Sequence, residues 1–262
     1  MPGTLCSLWA GIDWDRVGKS GLGTGNSRVE DAIDDGVFTL SDRHLPGMWR
    51  VGNTLGGGNI GHTFGVDGTE EESLTRALIW GRKSLSEYEH YYKEYLQGFE
   101  EMELVATGSL LGVRETRRIL GDYVLNLEDF RRLAVFDDEI GRYSYPVDIH
   151  IARPDRESYD KFCREFSTLR LGKGESYGIP YRILTPKGLD NVFVAGRCVS
   201  TDRNMQASIR VMPGCYITGQ AAGVAAAMAA SEDSDSRSVD TGELQQRLKA
   251  LGAYLPNAPA DS

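Results

Sequence analysis

Residues 191–230 read NVFVAGRCVSTDRNMQASIRVMPGCYITGQAAGVAAAMAA, and this stretch decides the expected fold. The apolar run at 192–194 predicts a buried parallel strand that ends at Gly196. A polar loop follows, and the run from Ser208 to Ala230 predicts a long helix whose glycines and alanines let it lie close to a sheet. In open α/β sheets, ligands bind where such a strand end, loop and helix start meet.

Composition narrows the class of protein. A chain of 262 residues is long enough for one large or two modest domains, and its net charge of −9 argues against binding to nucleic acid or to an anionic membrane. The four scattered cysteines form no CxxC pair, which predicts reduced thiols in a cytoplasmic protein and no metal site. The segment at 211–230 approaches membrane-span length, but its Gly, Pro and Ala content favours a buried helix.

Two glycine-rich stretches, at 21–25 and 56–58, invite comparison with phosphate-binding loops. Neither follows an apolar strand and leads directly into a helical pattern, so neither has the context of a dinucleotide-binding loop. We expect the first stretch to be a surface loop.

Other elements follow from local patterns. Thr69 and Glu72 match a capping box, and the apolar stripe after them predicts a long amphipathic helix that ends near Gly98 and packs in the core. Further predictions are a strand at 104–111, a short helix beginning near Asn126, an extended segment at 142–152, a weak helix at 155–169, an extended segment at 176–184 and a last helix after Asp240.

Two residues stand out for their chemistry. His150 suits the removal of a hydroxyl proton, and Asp148, two residues away, would share a strand face with it and could orient the imidazole. A half-buried structural histidine is the equal alternative. Arg210 lies near the predicted helix start, where a cation costs up to ~1 kcal/mol unless an anion faces it. The alternative is that its side chain points to water.

The sequence resembles those of FAD-dependent oxidoreductases with a glutathione-reductase-type flavin fold. The motifs are VFVAGRCVS and SIRVMPGCYITGQAAGVAAA near the end, preceded by VDGTEEESLTRA, GVRETRRILGDYVL, YPVDIH and IPYRILTPKGLDN. They extend from about His62 to Tyr254. The resemblance implies an α/β fold that is an incomplete two-domain flavoprotein: a mixed α+β substrate domain plus the closing strand and helix of a Rossmann-like flavin-binding sheet.

The resemblance also implies functional residues. It places Gly196, Arg197, Ser208, Arg210, Val211 and Met212 at an FAD cofactor. Arg114 and Arg117 would grip a small polar organic substrate, whereas without the resemblance they read as a solvated charged face. His62 is a weaker candidate than His150. The implied reaction is hydride transfer between flavin and that substrate.

The chain departs from the family in one respect. Members normally begin with a strand, a GxGxxG loop and a helix that hold the ADP half of FAD, and this sequence has no such fingerprint. We therefore expect a substrate-like domain at 1–185, the flavin-binding strand and helix at 186–230, and a linker with a terminal helix at 231–262. The chain would be a split subunit, a truncated gene product or a trimmed chain. The alternative function is a non-catalytic remnant or interaction subunit that needs a separate chain carrying the GxGxxG half.

Overall fold

The computed structural model of the protein describes residues 1–258. The chain forms two compact units. Unit 1 contains Met1–Arg114 and His150–Glu165, and unit 2 contains Glu115–Ile149 and residues 166–258. The domain division expected at residues 185 and 230 separates substrate-binding from cofactor-binding parts, and it stays a prediction.

The described residues contain eight helices and six strands. In chain order the strands are β1 (Ser7–Ala10), β2 (Gly47–Arg50), β3 (Gly56–Asn59), β4 (Glu103–Thr107), β5 (Glu139–Tyr143) and β6 (Tyr177–Pro180). The helices are α1 (Trp14–Ser20), α2 (Val29–Asp34), α3 (Glu71–Tyr95), α4 (Leu127–Arg131), α5 (Arg156–Glu165), α6 (Arg203–Ile209), α7 (Met212–Ser231) and α8 (Thr241–Ala250). The fold is therefore mixed, as predicted, with α and β elements in both units.

Unit 1 is built on a four-stranded antiparallel sheet with strand order β2-β3-β1-β4. Helix α3 supplies much of its core: Leu85, Tyr88, Tyr91 and Tyr92 are buried and pack in one cluster with Trp9 of β1. This confirms the prediction that the apolar stripe of the long helix is core. The tyrosine hydroxyls are satisfied within the unit, since Tyr91 and Tyr92 donate hydrogen bonds to backbone carbonyls in the loop after α1.

The predicted capping box of α3 is wrong. Glu70 occupies the N-cap position without a side-chain hydrogen bond, and the Thr69 hydroxyl instead donates to Asp67 Oδ1 over 2.7 Å. The Asp67 carboxylate also accepts the Thr69 backbone N–H, which makes a local turn. This turn competes with the helix cap for Thr69 and shifts the N-cap by one residue, to Glu70.

The glycine-rich segment at 56–58 forms β3, an inner strand of the sheet, and no loop. Its glycines allow large side chains to cover the strand closely. A Cβ on Gly58 would lie 2.6 Å from Ser7 Oγ and 3.0 Å from Trp9 Nε1, which are hydrogen-bonded to each other over 2.8 Å. The tryptophan therefore packs where a side chain of the neighbouring strand would normally stand.

This packing makes a stability prediction. Gly58→Ala is expected to destabilise the protein by about 1–3 kcal/mol, because the added methyl group overpacks a rigid aromatic contact. Gly18→Ala is the matched control: Gly18 is exposed within α1 and an added Cβ meets open space, so a gain of about 0.5–1 kcal/mol is expected. Urea denaturation of both variants measures the two changes, and equal effects would contradict the packing argument.

Unit 2 contains the antiparallel pair β5-β6, with α7 packed against α8 and β5. The short helix predicted near Asn126 is confirmed as α4, and it has a complete capping box between Asn126 and Asp129. The weak helix predicted at 155–169 is confirmed as α5 in unit 1. Within the part of the chain that the structure describes, no helix has the length and apolar character needed to cross a bilayer.

The buried parallel strand predicted at 192–194 is wrong. These residues form no strand, and Val192 is exposed. Val194 N–H donates to the Leu184 carbonyl in a single irregular bond of 2.8 Å. Among residues 1–258 no strand pairs with this segment, so its backbone has no ladder partner that would make it a strand.

Candidate functional site

A chain of hydrogen bonds links a carboxylate to two histidines inside unit 1. His62 Nδ1 lies 2.7 Å from Asp42 Oδ2, and His62 Nε2 lies 2.9 Å from His150 Nδ1. All three residues are buried. Buried ionisable side chains in direct contact are the kind of arrangement that proton-transfer sites use.

Aromatic rings surround the two imidazoles. His44 stacks on His150, with ring centroids 4.6 Å apart and an interplanar angle of 10°. Phe162 of α5 lies against the His44 ring at 4.7 Å, and Phe64 contacts the edge of His62 at 5.6 Å. These contacts restrict both imidazoles to one orientation and exclude water from their faces.

The backbone also fixes the first members of the chain. Asp42 Oδ1 accepts the His44 N–H over 3.0 Å, so one carboxylate holds the His44 loop with one oxygen and His62 with the other. His62 follows β3 closely, and its neighbour Thr63 forms a two-bond bridge with Gly3. Trp80 Nε1 on α3 donates to the His62 carbonyl over 3.3 Å. The site therefore rests on the sheet and on the long helix.

The sequence predicted only part of this arrangement. His150 was the leading candidate and is placed in the cluster, but the residue expected to orient it, Asp148, instead bonds to Arg210 through Oδ2 at 2.8 Å and through its backbone carbonyl at 3.0 Å. Residues 147–150 form no regular strand, so the alternation that would put Asp148 and His150 on one face does not apply. The carboxylate in the chain is Asp42, 20 residues before His62 in sequence, and no local pattern marks it.

The two candidate substrate-binding arginines occupy different settings. Arg114 is buried in unit 1, where Nη1 donates to the Pro2 carbonyl over 2.7 Å and to Thr4 Oγ1 over 3.0 Å. These bonds give it a structural task at the start of the chain. Arg117 is exposed in unit 2. A role for either in gripping a substrate stays a prediction.

The helix predicted to start at Ser208 is wrong in its bounds. Asp202 caps a separate helix, α6, by accepting the Met205 N–H over 2.7 Å, and α6 ends at Ile209. Pro213 has no N–H to continue the helical hydrogen bonds, so α6 does not extend through it. A new helix, α7, begins at Met212, and a proline is tolerated in its first turn. Ser208 thus lies in the last turn of a helix rather than in the first.

This break changes the interpretation of Arg210. Arg210 is the C-cap of α6, where the negative end of that helix dipole favours a cation and opposes the cost expected from the start of α7, whose N-cap is Val211. Its side chain is buried and paired with Asp148, and it does not point to water. Burial lowers the pKa of the Arg210 guanidinium, and the Asp148 carboxylate opposes that effect. Its buried Nε has no hydrogen-bond partner among the described residues.

The remaining candidates divide by accessibility. The Ser208 hydroxyl is fully buried, where it donates to the Tyr145 carbonyl over 2.6 Å and bonds to the Tyr177 hydroxyl over 2.8 Å. By contrast, Arg197 and Met212 are exposed, and Val211 is partly buried at the N-cap of α7 with no side-chain cap.

Gly196 begins a short 3₁₀ turn at a positive φ of 78°. Its N–H donates to Thr218 Oγ1 on α7 over 3.0 Å, which ties the turn to the helix. A Cβ at Gly196 would meet open space, so the glycine serves the backbone conformation and leaves the turn open to a neighbour.

The described residues contain no cluster of His, Cys, Asp or Glu suited to a metal ion. The four cysteines are all free thiols, and Cys198 lies at the surface. Burial raises the pKa of the Cys215 thiol, which makes its reactive thiolate form scarcer. Cys215 therefore suits a packing role better than thiol chemistry.

Comparison with known families identifies the class. The family model described as "FAD dependent oxidoreductase" matches residues 22–248. This match covers most of the chain and includes Asp42, both hydrogen-bonded histidines and the start of α7. The chain belongs to the FAD-dependent oxidoreductase family. Comparisons with curated proteins and with solved structures gave no significant match.

The residues at the start of α7 fit one part of an FAD molecule. The uncapped amides of a 20-residue helix, the open Gly196 turn and the orphaned Arg210 Nε are groups that suit an electron-rich ring edge. The ADP half of FAD finds no comparable cradle in residues 1–258, because the stretch at 21–25 follows helix α1 and the stretch at 56–58 is strand β3. The fit is to the flavin ring.

Proposed function

We propose that this protein acts in hydride transfer between FAD and a small polar organic substrate, with His150 as the group that accepts or returns the substrate proton. Membership of the FAD-dependent oxidoreductase family supports the redox chemistry. The observation that carries the assignment of His150 is its buried hydrogen bond to His62, backed by Asp42. A buried imidazole held in one orientation is prepared for proton transfer.

The protein's share of the chemistry is binding, orientation and proton transfer. Bound FAD would supply the site that accepts or delivers hydride. As hydride leaves the substrate carbon, the O–H bond of the hydroxyl group on that carbon breaks and its proton passes to His150. The substrate is thereby converted to a carbonyl compound. Gly196, Arg197, Val211 and Met212 would contact the flavin ring, and Arg210 would add positive charge close to it. Ser208 would act through the packing of α6, since its hydroxyl is already bonded.

A specific observation favours a partner chain as part of this function. Tyr216 of α7 is 67% exposed, and an added Cβ at Gly219 or Gly223 on the same helix meets open space. This apolar face suits contact with another polypeptide. We include in the proposal a separate chain that carries the GxGxxG half, and the alternative function is an interaction subunit without catalysis of its own. The free cysteines support a reducing, cytoplasmic compartment.

The cofactor assignment is tested with a charge placed at the start of α7. Met212→Glu is expected to weaken FAD binding about tenfold, equivalent to ~1.4 kcal/mol, because a carboxylate there repels the electron-rich edge of the flavin ring and competes with it for the helix amides. Leu251→Glu is the matched control, since Leu251 is also exposed and lies after α8. Titration of FAD fluorescence, with and without a GxGxxG-bearing chain, gives both dissociation constants. Equal affinities in the two variants would remove α7 from the proposed flavin site.

A further inference from the structure

We infer that Asp42 and His62 are positioning residues that set the tautomer of His150 and leave its basic lone pair on Nε2. The catalytic role of this tautomer rests on the proposed function. The evidence for the tautomer itself is the hydrogen-bond chain Asp42–His62–His150 within unit 1.

The direction of the chain follows from its donors and acceptors. Asp42 Oδ1 accepts the His44 N–H, and Asp42 Oδ2 lies 2.7 Å from His62 Nδ1. The ordinary form of an aspartate side chain at neutral pH is the carboxylate. An ionised carboxylate can only accept, so His62 Nδ1 carries a proton. A neutral imidazole carries one ring proton, and His62 Nε2 is therefore an acceptor.

The same rule then decides His150. Because His62 Nε2 accepts, the partner atom His150 Nδ1 must donate, and it lies 2.9 Å away. Neutral His150 therefore carries its proton on Nδ1 and its lone pair on Nε2. With His62 neutral, reversing this assignment would require reversing both hydrogen bonds together, which would leave Asp42 facing a bare nitrogen lone pair in a buried site. The competing state is an imidazolium His62, which would donate to both Asp42 and His150 Nδ1 and place the His150 proton on Nε2, the result that the NMR experiment below would read as contradicting the inference.

This arrangement has a consequence for proton transfer. When the substrate O–H bond breaks and an Nε2–H bond forms, His150 becomes an imidazolium and its Nδ1–H bond to His62 becomes charge-assisted. The Asp42 carboxylate balances the new charge through the His62 ring. The Nε2 lone pair lies in the plane of the ring, so the proton arrives in that plane, and the stacked His44 ring covers one face of the imidazole. Asp42 and His62 thus determine both the site of protonation and its cost without touching the substrate.

The inference is tested by NMR of ¹⁵N-histidine in the intact protein, because the two ring nitrogens report directly which one carries the proton. The chain has four histidines, and His90→Gln at an exposed position of α3 assists assignment. The expected native result is a neutral His150 protonated on Nδ1. In Asp42→Asn the side-chain amide can donate to His62 as well as accept, so His150 is expected to show a mixture of tautomers.

Asp148→Asn is the matched control, since Asp148 is the nearest carboxylate in sequence and bonds to Arg210 instead. It is expected to leave the His150 tautomer unchanged. A native His150 protonated on Nε2, or an Asp42→Asn spectrum identical to the native one, would overturn the inference. If Asp42→Asn does not fold, the native spectrum alone decides. The readout needs neither flavin nor substrate, so its failure is distinct from a failure of the proposed oxidoreductase function.

Discussion

Replacing His150 with glutamine is expected to slow reduction of the flavin by substrate by about 10²–10⁴-fold, the usual range for loss of a general acid or base. Glutamine can keep a hydrogen bond to His62 but cannot accept a proton at neutral pH. The affinity for FAD is expected to stay close to the native value, because His150 is not among the proposed flavin contacts.

The measurement is anaerobic stopped-flow reduction of protein-bound flavin, with the native protein and His150→Gln compared at the same flavin occupancy. His90→Gln is the control, since it removes an exposed histidine from α3 and should leave the rate unchanged. A His150→Gln variant that reduces its flavin at the native rate would eliminate His150 as the proton acceptor.

The second large effect concerns stability. Trp9→Ala is expected to destabilise the protein by about 3–5 kcal/mol, because it empties the centre of the unit 1 core and leaves the Ser7 hydroxyl without its indole partner. Trp9 is 0% exposed, whereas Trp49 on the same sheet is 51% exposed. Trp49→Ala is therefore the control, with an expected loss below about 1 kcal/mol.

Thermal or urea unfolding of the two tryptophan variants measures this difference. Loss of Trp9 is also expected to disturb the histidine site of unit 1. Trp9 lies on β1, which pairs with β3, and His62 follows β3 in the chain. Similar losses in both variants would contradict the placement of the core around β1 and α3.

Local signals in the sequence predicted several elements well. Local patterns predict the long helix α3, a short helix beginning near Asn126 and the weak helix α5, although the capping box predicted for α3 is wrong. These elements depend on interactions between residues three or four apart, so a single sequence contains the information.

The features that sequence reasoning missed depend on distant or competing contacts. Val192 and its neighbours have the composition of a strand, but strand formation also needs a pairing partner, and the described residues provide none. Strand β3 was missed because glycines carry no strand signal, and only the packing of Trp9 and Trp49 against them explains their use.

In the candidate site, too, residue type was predictable from the sequence and long-range contacts were not. The residue type of His150 indicates proton transfer, but its partners Asp42 and His62 lie 108 and 88 residues earlier in the chain. The nearest carboxylate, Asp148, was the natural sequence-based choice, and the structure assigns it to Arg210. Burial and hydrogen bonding across the fold, rather than proximity in sequence, determine which carboxylate supports the histidine.

The visible spectrum of the protein combined with FAD, alone and with a GxGxxG-bearing chain, tests the central claim most directly. The spectrum is recorded anaerobically before and after addition of a panel of small hydroxylated compounds. We predict bound flavin in at least the combined sample and bleaching of its absorbance by one or more compounds. A protein that retains no flavin in any combination would contradict the account.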